Sequence, residues 1–337
     1  MNELSSFIKV SVLVMTYNHA KFISKALDSV LMQETEFNYE ILISEDCSSD
    51  RTTEIILSYH QKFPEKIRLL LSEKNLHSNE VVRRGIHAAK GEYIALLDGD
   101  DYWTSSEKLQ KQAAYLDSHV ACTLCFHNAN AFSDNSEGQS WHWTLPNQKE
   151  ISTLEDLWLG NFIATCSTMF RKNVVKQVPN WYNLFFPITD WPLYILIAEH
   201  GYIGYINEVM GAYRQHSGGL YSPYSEKEKQ AKTLAFYKKI DHCLNYKYHE
   251  KITTAISIFF YDWAQEYKKR GEIRRAIDCY QVYLTGKIFN ERISFWPAAK
   301  LGLKLYLRYG LRVLSIRNFA RLVIHGVTSS FFLNSQI

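Results

Sequence analysis

The chain has 337 residues, 46% hydrophobic and 22% charged, the make-up of a soluble globular protein with one large or two ordinary cores. Six scattered cysteines offer no disulfide framework, the first residues lack a basic signal-peptide region, and no uncharged apolar run reaches the ~18 residues that a membrane span needs, so a reducing cytoplasm is the expected compartment. The net charge of +3 is unevenly spread: seven basic residues and no acid follow Glu291, which leaves the first 291 residues at −4, and an acidic body argues against a nucleic-acid partner.

Residues 9–17 form a β-branched, almost wholly apolar run, which reads as a buried parallel strand. In residues 21–33 the apolar positions 22, 23, 26, 27, 30 and 31 share one helical face. A second strand over 39–44 leads into the polar turn Glu45-Asp46-Cys47-Ser48-Ser49-Asp50, where Ser49 or Asp50 can cap a helix over 52–60. A strand over 67–71 and a helix over 79–90, stopped by Gly91, complete the alternation. Strand and helix in turn imply an α/β fold with a mostly parallel sheet flanked by helices, whose ligands bind beyond the carboxyl ends of the strands.

The fourth strand, from Tyr93, runs straight into Asp98, Asp100 and Asp101. Unpaired carboxylates are too costly inside a sheet, so the strand should end there and present them at its tip. Hard cations such as Mg²⁺ or Mn²⁺ take such oxygen ligands, often together with substrate phosphates. A solvated acidic turn is the plainer alternative. The polar clusters at 16–18, 45–50 and 98–101 each follow a strand, so all three belong on one rim.

Further on, a helix is expected over 105–118, one strand or two over 120–132, and a loop over 133–150 carrying Trp141-His142-Trp143. A short helix over 154–159, a strand-like stretch over 164–170 and a helix opened by Asp190, with Pro192 in its first turn, come next. Two short strands, 202–206 and 209–213, precede a Gly/Ser loop. Strand signals then cease, which divides the chain into a catalytic domain, 1–222, and a helical region, 223–337. Ala264, Tyr267, Gly271, Ala276 and Tyr280 have the spacing of one tetratricopeptide-like hairpin. Lys304, Arg308 and Arg312 share one face of an amphipathic tail that suits an anionic membrane surface, or packs on the body with that face solvated. Cys122 and Cys125, in an apolar run with no second pair, read as core thiols.

Four segments, in order, resemble family 2 glycosyltransferases of the GT-A fold, the non-processive type of bacterial cell-surface polysaccharide synthesis. They are Val12-Leu13-Val14-Met15-Thr16-Tyr17-Asn18, the turn 45–52, the segment 91–101 ending Asp98-Gly99-Asp100-Asp101, and Thr189-Asp190-Trp191. The resemblance covers about residues 8–220. Cys47 stands where the family has Gly, and Thr189 where it often has Glu. The Q-x-x-R-W motif of processive synthases is missing, which implies addition of a single sugar.

The resemblance implies an inverting transfer from a nucleotide-diphosphate sugar, a UDP-sugar first, to a hydroxyl of a glycan or lipid-linked acceptor. It makes Asp100 the ligand of Mn²⁺ or Mg²⁺, with His216 as a second ligand or a structural histidine. Asp98 would meet ribose or sugar hydroxyls, and Asp101 would orient its neighbours or cap the next helix. Asp46 would accept from the base's imide N–H in a pocket lined by Thr16, Tyr17 and Asn18, unless these two first residues simply pack the strand. Arg214 would neutralise phosphate or serve as an ion-pair partner. Asp190 would be the general base, an N-cap, or both. Trp103 and Trp191 would stack on sugar or fill the core, and 141–143 would form an acceptor wall. Peripheral contact with the inner face of the cell membrane and homo-oligomerisation stay open. The rival reading is a catalytically degenerate scaffold that binds a partner.

Overall fold

The computed structural model describes residues 7–134, 140–175, 177–220 and 222–290. They divide into two compact units, one ending at Tyr248 and one beginning at His249.

In the first unit, β1 (Ile8–Thr16), β2 (Asn38–Glu45), β3 (Ile67–Leu71) and β4 (Tyr93–Asp98) form a parallel set in the order β3-β2-β1-β4. The sheet continues through β9 (Met169–Arg171), β6 (Cys122–Ser133) and β10 (Tyr202–Gln215) to β5 (Tyr102–Trp103). β9 is antiparallel to both β4 and β6, and β10 is parallel to β6. The six long strands therefore all point the same way, and only two- and three-residue strands oppose them. The carboxyl ends of β1, β2, β4, β6 and β10 consequently lie on one rim.

β1 and β2 are buried along nearly their whole length, because helices cover both faces of the sheet and no residue alternates out to water. Ser11 interrupts the apolar run of β1, and its hydroxyl donates to Glu40 Oε1 at 2.6 Å, while Arg68 holds the other Glu40 oxygen at 2.6 Å. α1 (Ile23–Leu31) buries Ile23, Ala26, Leu27 and Val30, members of the face expected from the spacing. α2 (Thr52–Lys62) starts where Asp50 Oδ1 accepts from the Thr52 N–H at 2.9 Å. α3 (Glu80–Ala88) lies so close to β1 that a Cβ on Gly85 would sit 2.3 Å from Leu13 Cδ1.

Three expectations change in the second half. The loop expected over 133–150 contains a strand, β7 (Ser140–His142), paired to β6, and β8 (Ile151–Ser152) pairs with β10. The two short strands expected at 202–206 and 209–213 are the single strand β10, with register shifts between Ile206 and Gly211. Such a bulge keeps both halves paired to one neighbour while the strand bends. Residues 164–170 are only partly strand: Thr165–Ser167 is a 3-10 turn leading into β9.

α4 (Lys108–Ser118), α5 (Leu154–Leu159) and α6 (Asp190–Ala198) complete the sheet's cover. α7 (Glu226–Cys243) also belongs to the first unit, which ends at Tyr248. Its sequence is as polar as a linker helix, yet Phe236 stacks on Trp191 at 4.3 Å and the Tyr237 hydroxyl donates to Trp158 O at 2.6 Å. All six cysteines are free thiols, with Cys122 and Cys125 buried.

In the second unit, α8 (His249–Lys269) and α9 (Ile273–Asn290) form a helical hairpin that turns at Gly271, φ 77°. Ala264, Tyr267 and Ala276 are buried. The basic tail, Lys304, Arg308 and Arg312 included, lies outside the described residues. Among the described residues no helix is long and apolar enough to cross a membrane.

Candidate active site

The end of β1 and the turn after β2 are stitched together by Asn18. It takes a left-handed backbone, φ 55°, and its Oδ1 accepts from Ser49 N at 2.8 Å while its own N–H donates to Ser48 Oγ at 2.9 Å. Cys47, standing where the resembling family has Gly, is also left-handed at φ 59°. A side chain there costs about 1–2 kcal/mol. Glu45 offsets this, since its carboxylate accepts from Cys47 N at 3.0 Å and Ser48 N at 2.5 Å. Asp46 is buried, and its Oδ1 accepts from Ser72 Oγ at 3.1 Å and Leu76 N at 3.0 Å, leaving Oδ2 open among the described residues. Under this turn Arg84 donates to Ser44 Oγ, Ser72 Oγ, Glu45 O and Leu70 O, clamping the ends of β2 and β3.

At the tip of β4, Gly99 N donates to Met15 O at 2.8 Å. A Cβ on Gly99 would lie 2.7 Å from His19 Nδ1 and 2.8 Å from Thr16 Oγ1, so the tip can approach β1 only because this residue has no side chain. Asp100 Oδ2 is 3.0 Å from His216 Nε2 and 3.7 Å from His19 Nε2. Burial pushes the Asp100 carboxyl up, but the bond to His216 and the charge of the histidines outweigh it and hold its pKa below the ordinary range. That same bond raises His216, while burial lowers His19. Of the two imidazoles, His216 therefore holds its proton to the higher pH. Phe22 packs its ring 4.9 Å from His216 and orients it.

Burial, then the neighbouring charges of Asp100 and Asp190, pushes Asp98 up to about 8. Asp101 is buried, and its Oδ1 accepts from Arg214 N at 2.7 Å. It does not cap the next helix, because α4 starts only at Lys108, seven residues on. Arg214 donates through Nε to Asp100 O at 3.0 Å and pairs through Nη1 with Asp134 at 2.7 Å, its guanidinium between the rings of Phe22 and Phe132. It is thus an ion-pair partner, with Nη2 open among the described residues.

Asp190 is the first residue of α6. Its Oδ1 accepts from Trp191 N at 2.8 Å and its Oδ2 from Asn161 Nδ2 at 2.7 Å. Burial raises its pKa, and those bonds oppose the rise without cancelling it. The charge of Asp190 reaches Asp98, which brings the two carboxylates into one electrostatic group.

Among the described residues no set of three or more His, Cys, Asp or Glu side chains could hold a metal ion alone. Asp100 and His216 do fit two positions of one. Ligands 2.0–2.1 Å from an octahedral ion lie about 3.0 Å apart along an edge, and this pair is 3.0 Å apart. The remaining positions would fall to water and to phosphate oxygens. Residues 11–178 match the family described as Glycosyl transferase family 2.

The chain belongs to glycosyl transferase family 2. A protein of Mycobacterium tuberculosis is 34% identical over 65% of this chain and 63% of its own length, so the chain spans less than two thirds of that relative. TuaG of Bacillus subtilis, named as a teichuronic acid biosynthesis glycosyltransferase, is 27% identical over 69% of this chain and 88% of its own. The crystal structure of Staphylococcus aureus TarS 1–349 in complex with UDP-GlcNAc superposes with a TM-score of 0.51 at 18% identity, covering 83% of this chain and 92% of that one. At that identity the likeness is one of fold, and the fold is GT-A.

Within this family 2 chain the two candidate stacking tryptophans belong to the core. Trp103 is 1% exposed and donates to Cys166 O at 2.8 Å; Trp191 donates to Leu157 O at 2.9 Å and lies under Phe236. Their indole N–H groups are consumed inside, and neither face is free for a sugar. Trp143 is placed differently. Its ring meets Tyr213 edge-on at 4.8 Å, and the Tyr213 phenol feels the charge of Asp98, Asp100, Asp101 and Asp190. Trp141 is exposed on β7, and Tyr17 is exposed at the end of β1. His19, Arg84, Asn161 and Tyr213 were missed by the sequence reading. His19 alone had a signal, a histidine directly after the first strand and so on the same rim.

Proposed function

We propose that this chain is a metal-dependent, inverting glycosyltransferase that moves one sugar from a nucleotide-diphosphate sugar to a hydroxyl of a saccharide or lipid-linked acceptor in surface polysaccharide synthesis. The observation that carries the reading is the 3.0 Å Asp100–His216 edge at the rim, beside the raised carboxyls of Asp98 and Asp190. A UDP-sugar is the donor to try first, and the UDP-GlcNAc bound by TarS supports that choice.

Asp100 and His216 would hold Mn²⁺ or Mg²⁺, which when bound supplies positive charge to the departing diphosphate. Asp46 receives the imide N–H of the base on its open Oδ2, with Thr16, Tyr17 and Asn18 around it. Asp98 faces ribose or sugar hydroxyls. Arg214 turns its free Nη2 to phosphate. Asp190 takes the proton from the acceptor hydroxyl as it attacks the anomeric carbon, and a carboxylate of raised pKa is the better base for that step. Asn161 holds its second oxygen in line.

The test is the melting temperature of the full chain with UDP and Mn²⁺, followed by slow hydrolysis of a panel of nucleotide sugars. UDP with Mn²⁺ should raise the melting temperature, and Asp100→Ala should abolish the rise. Absence of a shift with every nucleoside diphosphate overturns the reading.

A further inference from the structure

A second cavity lies at the other end of β4. The acids sit beyond its carboxyl end, whereas Gly91 and Glu92, which line this cavity, precede its first residue. Six residues of strand separate the two by about 20 Å. The cavity measures about 960 Å³, several times the volume of a single phosphate group.

Its wall is positive. Arg83, Arg171 and Lys172 line it together with His87, and Glu92 is its one acid. Glu92 is already held by Lys9 at 3.0 Å. Arg83 pairs with Glu80 at 2.7 Å. Arg171 and Lys172, by contrast, are fixed through neutral groups. Arg171 donates to Cys122 O at 2.9 Å, Leu116 O at 2.6 Å and the Tyr93 hydroxyl at 3.3 Å, and Lys172 donates to Ala89 O. Neither has a carboxylate within ion-pair distance among the described residues. Arg171 meets a carboxylate only at second hand, through the Tyr93 hydroxyl that donates to Asp117 Oδ1 at 2.5 Å, so the two adjacent cations are held in place and only partly neutralised. Lys172 also caps the last carbonyls of α3, which accounts for one cation but leaves Arg171 and the cavity unexplained. The amides of Asn173, Gln177 and Asn180 line the same space and make no bond to the described protein. Fixed guanidinium and ammonium groups with spare amide donors are the chemistry that recognises phosphate oxygens.

We infer that this cavity is a second ligand site, distinct from the nucleotide rim, that takes a multiply phosphorylated anion. The site does not depend on the transferase reading, because none of its residues belongs to that rim.

The probe is inorganic tripolyphosphate, titrated calorimetrically into the full chain in EDTA, so that no metal-bound nucleotide site contributes. Saturable binding is expected, weakened about tenfold or more by Lys172→Gln and by a smaller factor by His87→Gln, while Asp100→Ala leaves it unchanged. Both cavity variants should melt cooperatively within a few degrees of the natural chain, which confirms that they fold. A parallel arm sediments the chain with vesicles containing cardiolipin, whose headgroup carries two phosphates. Co-sedimentation lost in Lys172→Gln makes a lipid headgroup the source of the phosphate, and tripolyphosphate binding alone makes it a soluble anion. The proposal is overturned if tripolyphosphate does not bind, if both cavity variants bind it as the natural chain does, or if Asp100→Ala removes the binding.

Discussion

Asp100 Oδ2 and His216 Nε2, 116 positions apart in the chain, meet at 3.0 Å. Because that bond raises His216 above 6.5 and lowers Asp100, the pair is an ion pair over a wider pH range than a free histidine would allow. The sign for stability follows. A raised histidine contributes fully below its unfolded pKa, and the contribution is lost as pH rises through its folded value. The sign for metal binding is opposite, since a cation must displace the His216 proton. The melting shift from Mn²⁺ and UDP should therefore grow with pH, with a midpoint above 6.5. His216→Gln should flatten that dependence, and an unchanged midpoint in the variant would assign the proton elsewhere.

Gly99→Ala tests how the tip of β4 is seated. The added Cβ would meet the ring of His19 and the Thr16 hydroxyl at under 3 Å, so the Asp98–Asp100 tip must move away from β1. The fold should survive, because the clash is confined to the rim, with a melting temperature within a few degrees of the natural chain. The UDP–Mn²⁺ shift should be largely lost. A variant that keeps the full shift would show that the tip has room to spare.

Asp190→Asn should slow sugar transfer by about 10²–10⁴-fold, the contribution of a general base, and leave the UDP–Mn²⁺ shift in place. Since burial raises Asp190, turnover should fall with decreasing pH from a point above the ordinary carboxylate value of 3.8. Asn161→Ala frees one oxygen of that carboxylate and should lower the rate by a smaller factor. Equal loss of nucleotide binding and turnover in Asp190→Asn would remove Asp190 from the chemical step.

Lys108 is fully buried, with its ammonium 3.7 Å over the Trp103 ring and without a hydrogen-bond partner among the described residues. Burial pulls its pKa from 10.5 to about 7. Between those values the unfolded chain holds more protons than the folded one, so stability contributed by this group rises with pH across that window. Lys108→Met should stabilise the chain near pH 7 by on the order of 1–4 kcal/mol, with the advantage shrinking towards pH 10. Thermal melts of both proteins at the two pH values decide it. Destabilisation of equal size at both would mean that the contact with Trp103 outweighs the buried charge.

Much of the parallel half of the sheet was legible because its signal is local. A strand covered on both faces needs a nearly unbroken apolar run, and residues 12–15, 41–43 and 93–97 have one. The helical face of α1 and the polar turns after β1, β2 and β4 were legible for the same reason. The bend of β10 was not, since Asn207 and Glu208 read as a break in the chain when they are a bulge in one continuous strand. The placement of α7 was hidden as well: its sequence is polar along most of its length, and only Phe236 and Tyr237 tie it to Trp191.

By itself the sequence determined that acids stand at strand ends and that those ends share a rim, because strand direction and turn chemistry are written within a few residues. It left Trp103 and Trp191 open between core and sugar, and Arg214 between phosphate and ion pair. Those alternatives differ only in what lies across from each side chain, often a hundred residues away. Tertiary structure put the two indoles in the core by consuming their N–H groups inside, set Asp134 against Arg214 Nη1 while leaving Nη2 open among the described residues, and brought His216 back to Asp100. The same tip that the sequence marked as acidic meets a histidine because β10 returns to it.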